Sequence, residues 1–149
     1  MTFILPGTPP QQDDIRVTGI WFSESDDVFY LTSGSVTEIP EILIDFTANL
    51  GETVHFLYTG TALVNTSLYL AQPVQLQFQL VLDGTTISHG FTNLITPDMS
   101  GENFTVPITL AYTSDTISGL QHNLTVRVYS GANDAAVYKN KLLVQTFST

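Results

Sequence analysis

Residues 74–84, VQLQFQLVLDG, alternate between apolar and polar side chains and end in Asp83-Gly84. A period of two puts Val74, Leu76, Phe78, Leu80 and Leu82 on one face and Gln75, Gln77 and Gln79 on the other, a division that a helix of period 3.6 cannot make. The segment is predicted to be a half-buried antiparallel strand. Asp-Gly supplies the positive φ angles of a two-residue type I′ turn, so the following TTIS folds back with Ile87 expected opposite Leu80. Burial of each such apolar side chain contributes about 1.5–3 kcal/mol, in sum comparable with the net stability of a whole domain.

The same period recurs along the chain. NFTVPITLAYT sets Phe104, Val106, Ile108, Leu110 and Tyr112 on one face, with Pro107 on the other, where its missing donor marks an edge or a bulge. NLTVRVYS points Leu124, Val126 and Val128 inward against Thr125 and Arg127, and ILIDFT opposes Ile42, Ile44 and Phe46 to Leu43 and Asp45. Shorter strand candidates begin at Val17, Val28, Thr53, Ala135 and Lys141, separated by Gly, Asn, Asp and Ser clusters. ALVNTSLYLA, residues 62–71, is the one stretch with an argument for a helical turn, and its β-branched and Asn content weighs against it. Strands every 8–12 residues or so set the cadence of a sandwich or barrel. The expectation is all-β, an antiparallel jelly-roll β-sandwich over residues 15–149 as a single domain.

Residues 1–14 differ in kind. Pro6, Gly7, Pro9 and Pro10, followed by Gln11, Gln12, Asp13 and Asp14, oppose regular hydrogen-bonded structure and favour an extended N-terminal arm. At its tip Phe3, Ile4 and Leu5, next to Pro6, gain from burial only by docking on another surface, which makes them candidate attachment residues.

Composition removes several functions. The chain has 149 residues, 43% of them hydrophobic, so it can bury a core, and its formal charge of −10 with four Lys plus Arg repels nucleic acid and anionic lipid. No run approaches the ~18 apolar residues of a membrane span, and the first residues lack the basic and apolar regions of a secretory signal, so a soluble protein made in the cytoplasm is expected. The absence of cysteine excludes disulfide scaffolds, thiolate zinc sites and cysteine nucleophiles.

Chemistry-bearing residues form no catalytic pattern. Glu24, Asp26 and Asp27 put hard oxygen donors on one loop, but without the spaced D-x-D-x-D-G of a calcium loop they read as a solvated acidic turn. His55, His89 and His122 lack the spacing that would aim two imidazoles at one ion. There is no G-x-S-x-G elbow and no Gly-rich phosphate cradle. N-x-S/T triplets at Asn65, Asn103 and Asn123 read as chance products of a Thr-rich β protein. Trp21, with Phe22, Phe29 and Tyr30, offers either a sugar-stacking platform or core and interface packing, the latter being preferred. No catalytic residue, metal or cofactor is expected, and the chain reads as a non-enzyme.

The stretch TEIPEILIDFTANLGETVHFLYTGTALV resembles the entry strands of trimeric tumour-necrosis-factor-like jelly rolls of bacterial and phage proteins. VQLQFQLVLDGTTIS resembles their central hairpin. Gly119, His122, Leu124, Val126 and Val128, followed by Leu142, Leu143 and Val144, stand near the positions of their closing pattern, so the resemblance covers roughly residues 37–147. It implies a homotrimer packed around a threefold axis, with no catalytic residue. Among hosts of this fold, a chain with a proline-rich arm and no fibrous shaft is expected to be a bacteriophage capsid decoration or cement protein. Such a protein trimerises on the shell and stabilises it, its partners being further copies and a major capsid protein or other virion subunit in a virion assembled in the host cytoplasm. The alternative is a receptor- or glycan-binding fibre or spike knob. The uncharged row Gln75, Gln77 and Gln79 is the candidate trimer interface, because glutamines hydrogen-bond across a symmetry axis without the like-charge penalty of carboxylates.

Overall fold

The structure, a computed structural model, describes residues 15–65, 74–94, 103–115, 119–131 and 135–148. Phe3, Ile4, Leu5 and Pro6 lie outside the described residues, as does most of the candidate helical turn; its first residues, 62–65, are strand.

The described strands are β1 (Arg16–Ser25), β2 (Phe29–Tyr30), β3 (Val36–Thr47), β4 (Thr53–Asn65), β5 (Val74–Leu82), β6 (Thr85–Leu94), β7 (Asn103–Ser114), β8 (Gln121–Ser130) and β9 (Ala135–Ser148). They form two antiparallel sheets. Sheet A has the order β1-β9-β4-β7, with β2 also paired to β9, and sheet B has the order β3-β8-β5-β6. Apart from β1–β2 and the β5–β6 hairpin, sequence neighbours lie in different sheets, and the chain crosses repeatedly between two layers: the all-β jelly-roll sandwich expected from the alternation.

Alternation explains the core. Ile42, Ile44 and Phe46 of β3, Leu76, Phe78 and Leu80 of β5, and Leu124, Val126 and Val128 of β8 are buried against Val54, Phe56 and Tyr58 of β4 and Leu142 and Val144 of β9. The two layers meet through aromatic pairs, Tyr58 on Phe78 at 5.9 Å and Phe46 edge-on to Phe56 at 5.7 Å. Pro107 falls in β7, the edge strand of sheet A, where a missing donor costs least.

Three expectations are corrected, each by a bulge or a neighbour outside the local pattern. Asp83 and Gly84 have φ of 50° and 83°, as a type I′ turn requires, but Leu80 faces Ser88 because one extra residue of β6, Ile87, bulges between the pairs Leu80–Ser88 and Val81–Thr86. Leu82 is only half-buried, whereas Val81, on the opposite side of β5, is 1% exposed beside the buried Thr125 of β8. The segments starting at Ala135 and Lys141 are one strand, β9, interrupted at Lys139-Asn140.

That interruption is fixed from beneath. Lys139 has a φ of 52°, in the left-handed region, and the β4 partner register skips Gly60. The turned-in Asn140 side chain is 1% exposed, and its Oδ1 accepts a 2.7 Å hydrogen bond from the buried Tyr58 hydroxyl. Burial pushes the Tyr58 phenol well above its ordinary range, so it remains a donor at any physiological pH. A Cβ on Gly60 would overlap that hydroxyl and come within 2.8 Å of Asn140 Oδ1, so only glycine fits there.

Candidate functional site

With the inner faces committed to the core, any partner must meet the outward halves of the strands. Register across sheet A aligns Phe22 with Leu143, Leu143 with Leu57, and Leu57 with Ala111, one line across β1, β9, β4 and β7. At about 4.8 Å between strands this row is roughly 14 Å long. The next line, Ile20, Gln145, His55 and Thr113, adds another apolar side chain beside it, and His55 Nδ1 is 2.9 Å from Thr113 Oγ1. Phe22 is 56% exposed, Ile20 60% and Val17 50%, while Leu57, Leu143 and Phe147 are half-buried. The two central lines contain no carboxylate.

Charges of both signs lie at the limit of this face. Arg16, Lys139 and Lys141, three of the four Lys and Arg residues, belong to β1 and β9. Lys139 and Lys141 line a shallow hollow of about 410 Å³ with Asp26, Thr59 and Thr61, and neither lysine has a carboxylate within ion-pair distance among the described residues. Glu24 stands opposite Lys141 in register, at the limit of the face.

The outward face of sheet B is polar along β5, while Val36 and Leu43 of β3 are exposed on it. Gln77 and Gln79 are half-buried and Gln75 is exposed; Gln77 pairs with Tyr129 and Gln79 with Arg127. The Thr86 hydroxyl donates to Gln79 Oε1 at a long 3.5 Å, and Arg127 lies 3.9 Å from Glu38. The three glutamines therefore form one outward row, as their spacing required.

The remaining candidates are drawn into structural ties. Trp21 is half-buried with its ring 5.8 Å from Phe46, over Gly19, where a Cβ would overlap it, so it is not an exposed stacking platform. Phe29 is half-buried; Phe22 and Tyr30 are exposed. Glu24, Asp26 and Asp27 are exposed, and the Asp27 backbone N–H donates to Ser25 Oγ at 3.2 Å. No group of three His, Cys, Asp or Glu able to hold a metal occurs among the described residues. The Asn123 amide donates to Asp45 at 2.9 Å.

Two buried polar groups carried no signal in the sequence. His122, 8% exposed and stacked 5.4 Å from Phe46, pairs through Nδ1 with Asp83 Oδ2 at 2.6 Å, while the Asn123 backbone N–H donates to Asp83 Oδ1 at 2.8 Å. Partial desolvation alone would raise the Asp83 carboxyl, but the hydrogen bonds from His122 and Asn123 and the imidazole charge hold it below the usual carboxylate range. This ties the β5–β6 turn to β8. Glu52, 6% exposed, accepts from the Asn49 backbone N–H at 2.6 Å and from the Thr18 hydroxyl, fastening the β3–β4 turn to β1. Both ties join residues 34 or more positions apart, so no local spacing announces them.

No family model matches the chain, and no curated protein matches it in sequence. Among solved structures it is similar to the insecticidal delta-endotoxin Cry8Ea1 from Bacillus thuringiensis, with 14% identity over 79% of this chain and a TM-score of 0.45; the chain spans 19% of that protein's length. It is also similar to the CBM36-1 domain of a multidomain xylanase from the hindgut metagenome of Trinervitermes trinervoides, at 10% identity over 85% of this chain and 96% of that one, with a TM-score of 0.43. A pentameric capsid protein from metagenomic phage sequences follows at 15% identity, over 69% of this chain and 63% of that one, with a TM-score of 0.29.

Proposed function

We propose that the chain is a non-enzymatic structural protein of a phage virion, a capsid decoration protein that trimerises, attaches to the shell and stabilises it. The observation that carries this reading is the apolar row on the outward face of sheet A. Solvent-facing Ile20 and Phe22 next to Leu143 and Leu57 raise the free energy of the chain in water, and covering them with another protein surface lowers it. The uncharged row Gln75, Gln77 and Gln79 supports a symmetric contact on the other sheet, since a protein of net charge −10 associates with itself only through surfaces free of opposed carboxylates. The resemblance to trimeric jelly rolls supplies the number three, and residues 1–14, with Phe3, Ile4, Leu5 and Pro6, supply the attachment arm. The glycan-binding alternative loses its first anchor with the inward turn of Trp21.

Native mass spectrometry and co-assembly with the major capsid protein of its own virus test this reading. A trimer that coats assembled shells and raises their melting temperature is expected. A monomer at micromolar concentration, or shells that take up none of the protein, would refute it.

A further inference from the structure

We infer that the outward face of sheet A is the receptor for the N-terminal segment of a neighbouring copy, with Phe3, Ile4 and Leu5 seated on the row Phe22, Leu143 and Leu57. The inference deepens the assembly reading and rests on it for the surface being a contact. Three features of the chain select this occupant. The face is apolar along the line of Phe22, Leu143 and Leu57 with Ile20 beside it, and at its limit Lys141 stands opposite Glu24, so it suits an apolar segment. Residues 1–14 supply such a stretch in the trio Phe3, Ile4 and Leu5, with no charged side chain before Asp13.

Length agrees as well. The described chain begins at Ile15, beside the end of β1. Nine residues lie between Leu5 and Ile15, a span of roughly 30 Å at about 3.1 Å per residue step in a proline-rich segment, twice the length of the apolar row. A neighbour's segment can therefore leave its own domain and cross this row. The chain's own segment would have to reverse within Gln11–Asp14. That reversal would press two carboxylates against Val17 and Phe147, which occupy the outward face at that end of the sheet, whereas in a neighbour's segment they stay in water.

The chain has no cysteine, so paired cysteines report the contact without background. Ile4→Cys and Phe22→Cys proteins, the latter changed at an exposed position, are mixed and oxidised, and the mixture is compared with Ile4→Cys plus Thr47→Cys, whose second cysteine lies on the exposed side of sheet B. The expected result is an interchain disulfide several-fold more abundant in the first mixture. Equal yields in the two mixtures would overturn the inference. So would an intrachain disulfide in the Ile4→Cys/Phe22→Cys double variant that persists on dilution while the mixture gives none, since the occupant would then be the chain's own segment. Because the crosslink is measured on purified protein, its success together with failure to coat shells would refute the virion reading and leave this contact standing. Coating without the crosslink would do the reverse.

Discussion

The two sheets share the same inward alternation, yet on its outward side sheet A presents Ile20, Phe22 and Leu143 while sheet B presents Gln75, Gln77 and Gln79 along β5, with Val36 and Leu43 exposed on β3. Inward residues answer to the core and are alike in both layers. Outward residues are free of that demand, so the difference between the faces reports what each one meets. An apolar face suits a segment that brings no charge, and a glutamine face suits a symmetric copy of itself.

The comparison breaks most sharply on β9, where Leu142 and Leu143 are consecutive but point to opposite sides. Leu142→Asp puts a carboxylate among fully buried side chains and should cost upwards of about 4 kcal/mol, enough to unfold a protein of ordinary stability. Leu143→Asp should leave the denaturation midpoint within about 1 kcal/mol of the parent and reduce assembly. If both variants unfold equally in urea, the outward assignment of Leu143 is wrong. On sheet B the matching pair is Leu80→Asp, with the same large loss, against Gln77→Asp, which should fold and, on the proposed trimer contact, weaken self-association by repeating a carboxylate around the axis.

A smaller effect is expected at Glu52. Glu52→Ala leaves the Asn49 N–H and the Thr18 hydroxyl without their acceptor beneath the start of β1 and should cost about 1–3 kcal/mol by chemical denaturation. A neutral result would mean that water replaces the carboxylate there.

The smallest concerns pH. Since the folded Asp83 carboxyl titrates below its unfolded value, its stabilisation is complete above about pH 4 and is lost as pH falls through the lower folded value. The side chain is 47% exposed, so solvent screening limits the contribution to about 1 kcal/mol or less. Asp83→Asn should therefore lower stability at pH 6 and flatten its fall as the pH drops below about 4. An unchanged acid profile would show that the pairing with His122 adds nothing net.

The inward half of the fold was legible because a period of two needs only local sequence. Ile42, Ile44, Phe46, Leu124, Val126 and Val128 are all buried where alternation put them. The bulges at Ile87 and Lys139-Asn140 were not legible, since each depends on a partner strand: Asn140 turns inward to meet Tyr58, 82 residues away. His122 with Asp83, and Glu52 with Thr18, are likewise products of the folded arrangement. The apolar face did leave a trace. Ile20-Trp21-Phe22 and Leu142-Leu143-Val144 are consecutive apolar triplets that break the alternation, and a strand apolar on both sides has one face for the core and one for something else. The glutamine row was visible from spacing alone, whereas the row on sheet A required the register of four strands.

The most direct test of the account is the accessibility of Phe22 in the assembled protein. A Phe22→Cys protein is labelled with a maleimide in dilute solution and again on assembled shells, with Thr47→Cys as the reference on the other sheet. The account predicts that residue 22 is labelled rapidly when dilute and is strongly protected on assembly, beyond any change at residue 47. Equal labelling of residue 22 in the two states would contradict the claim that the apolar face of sheet A is a contact surface.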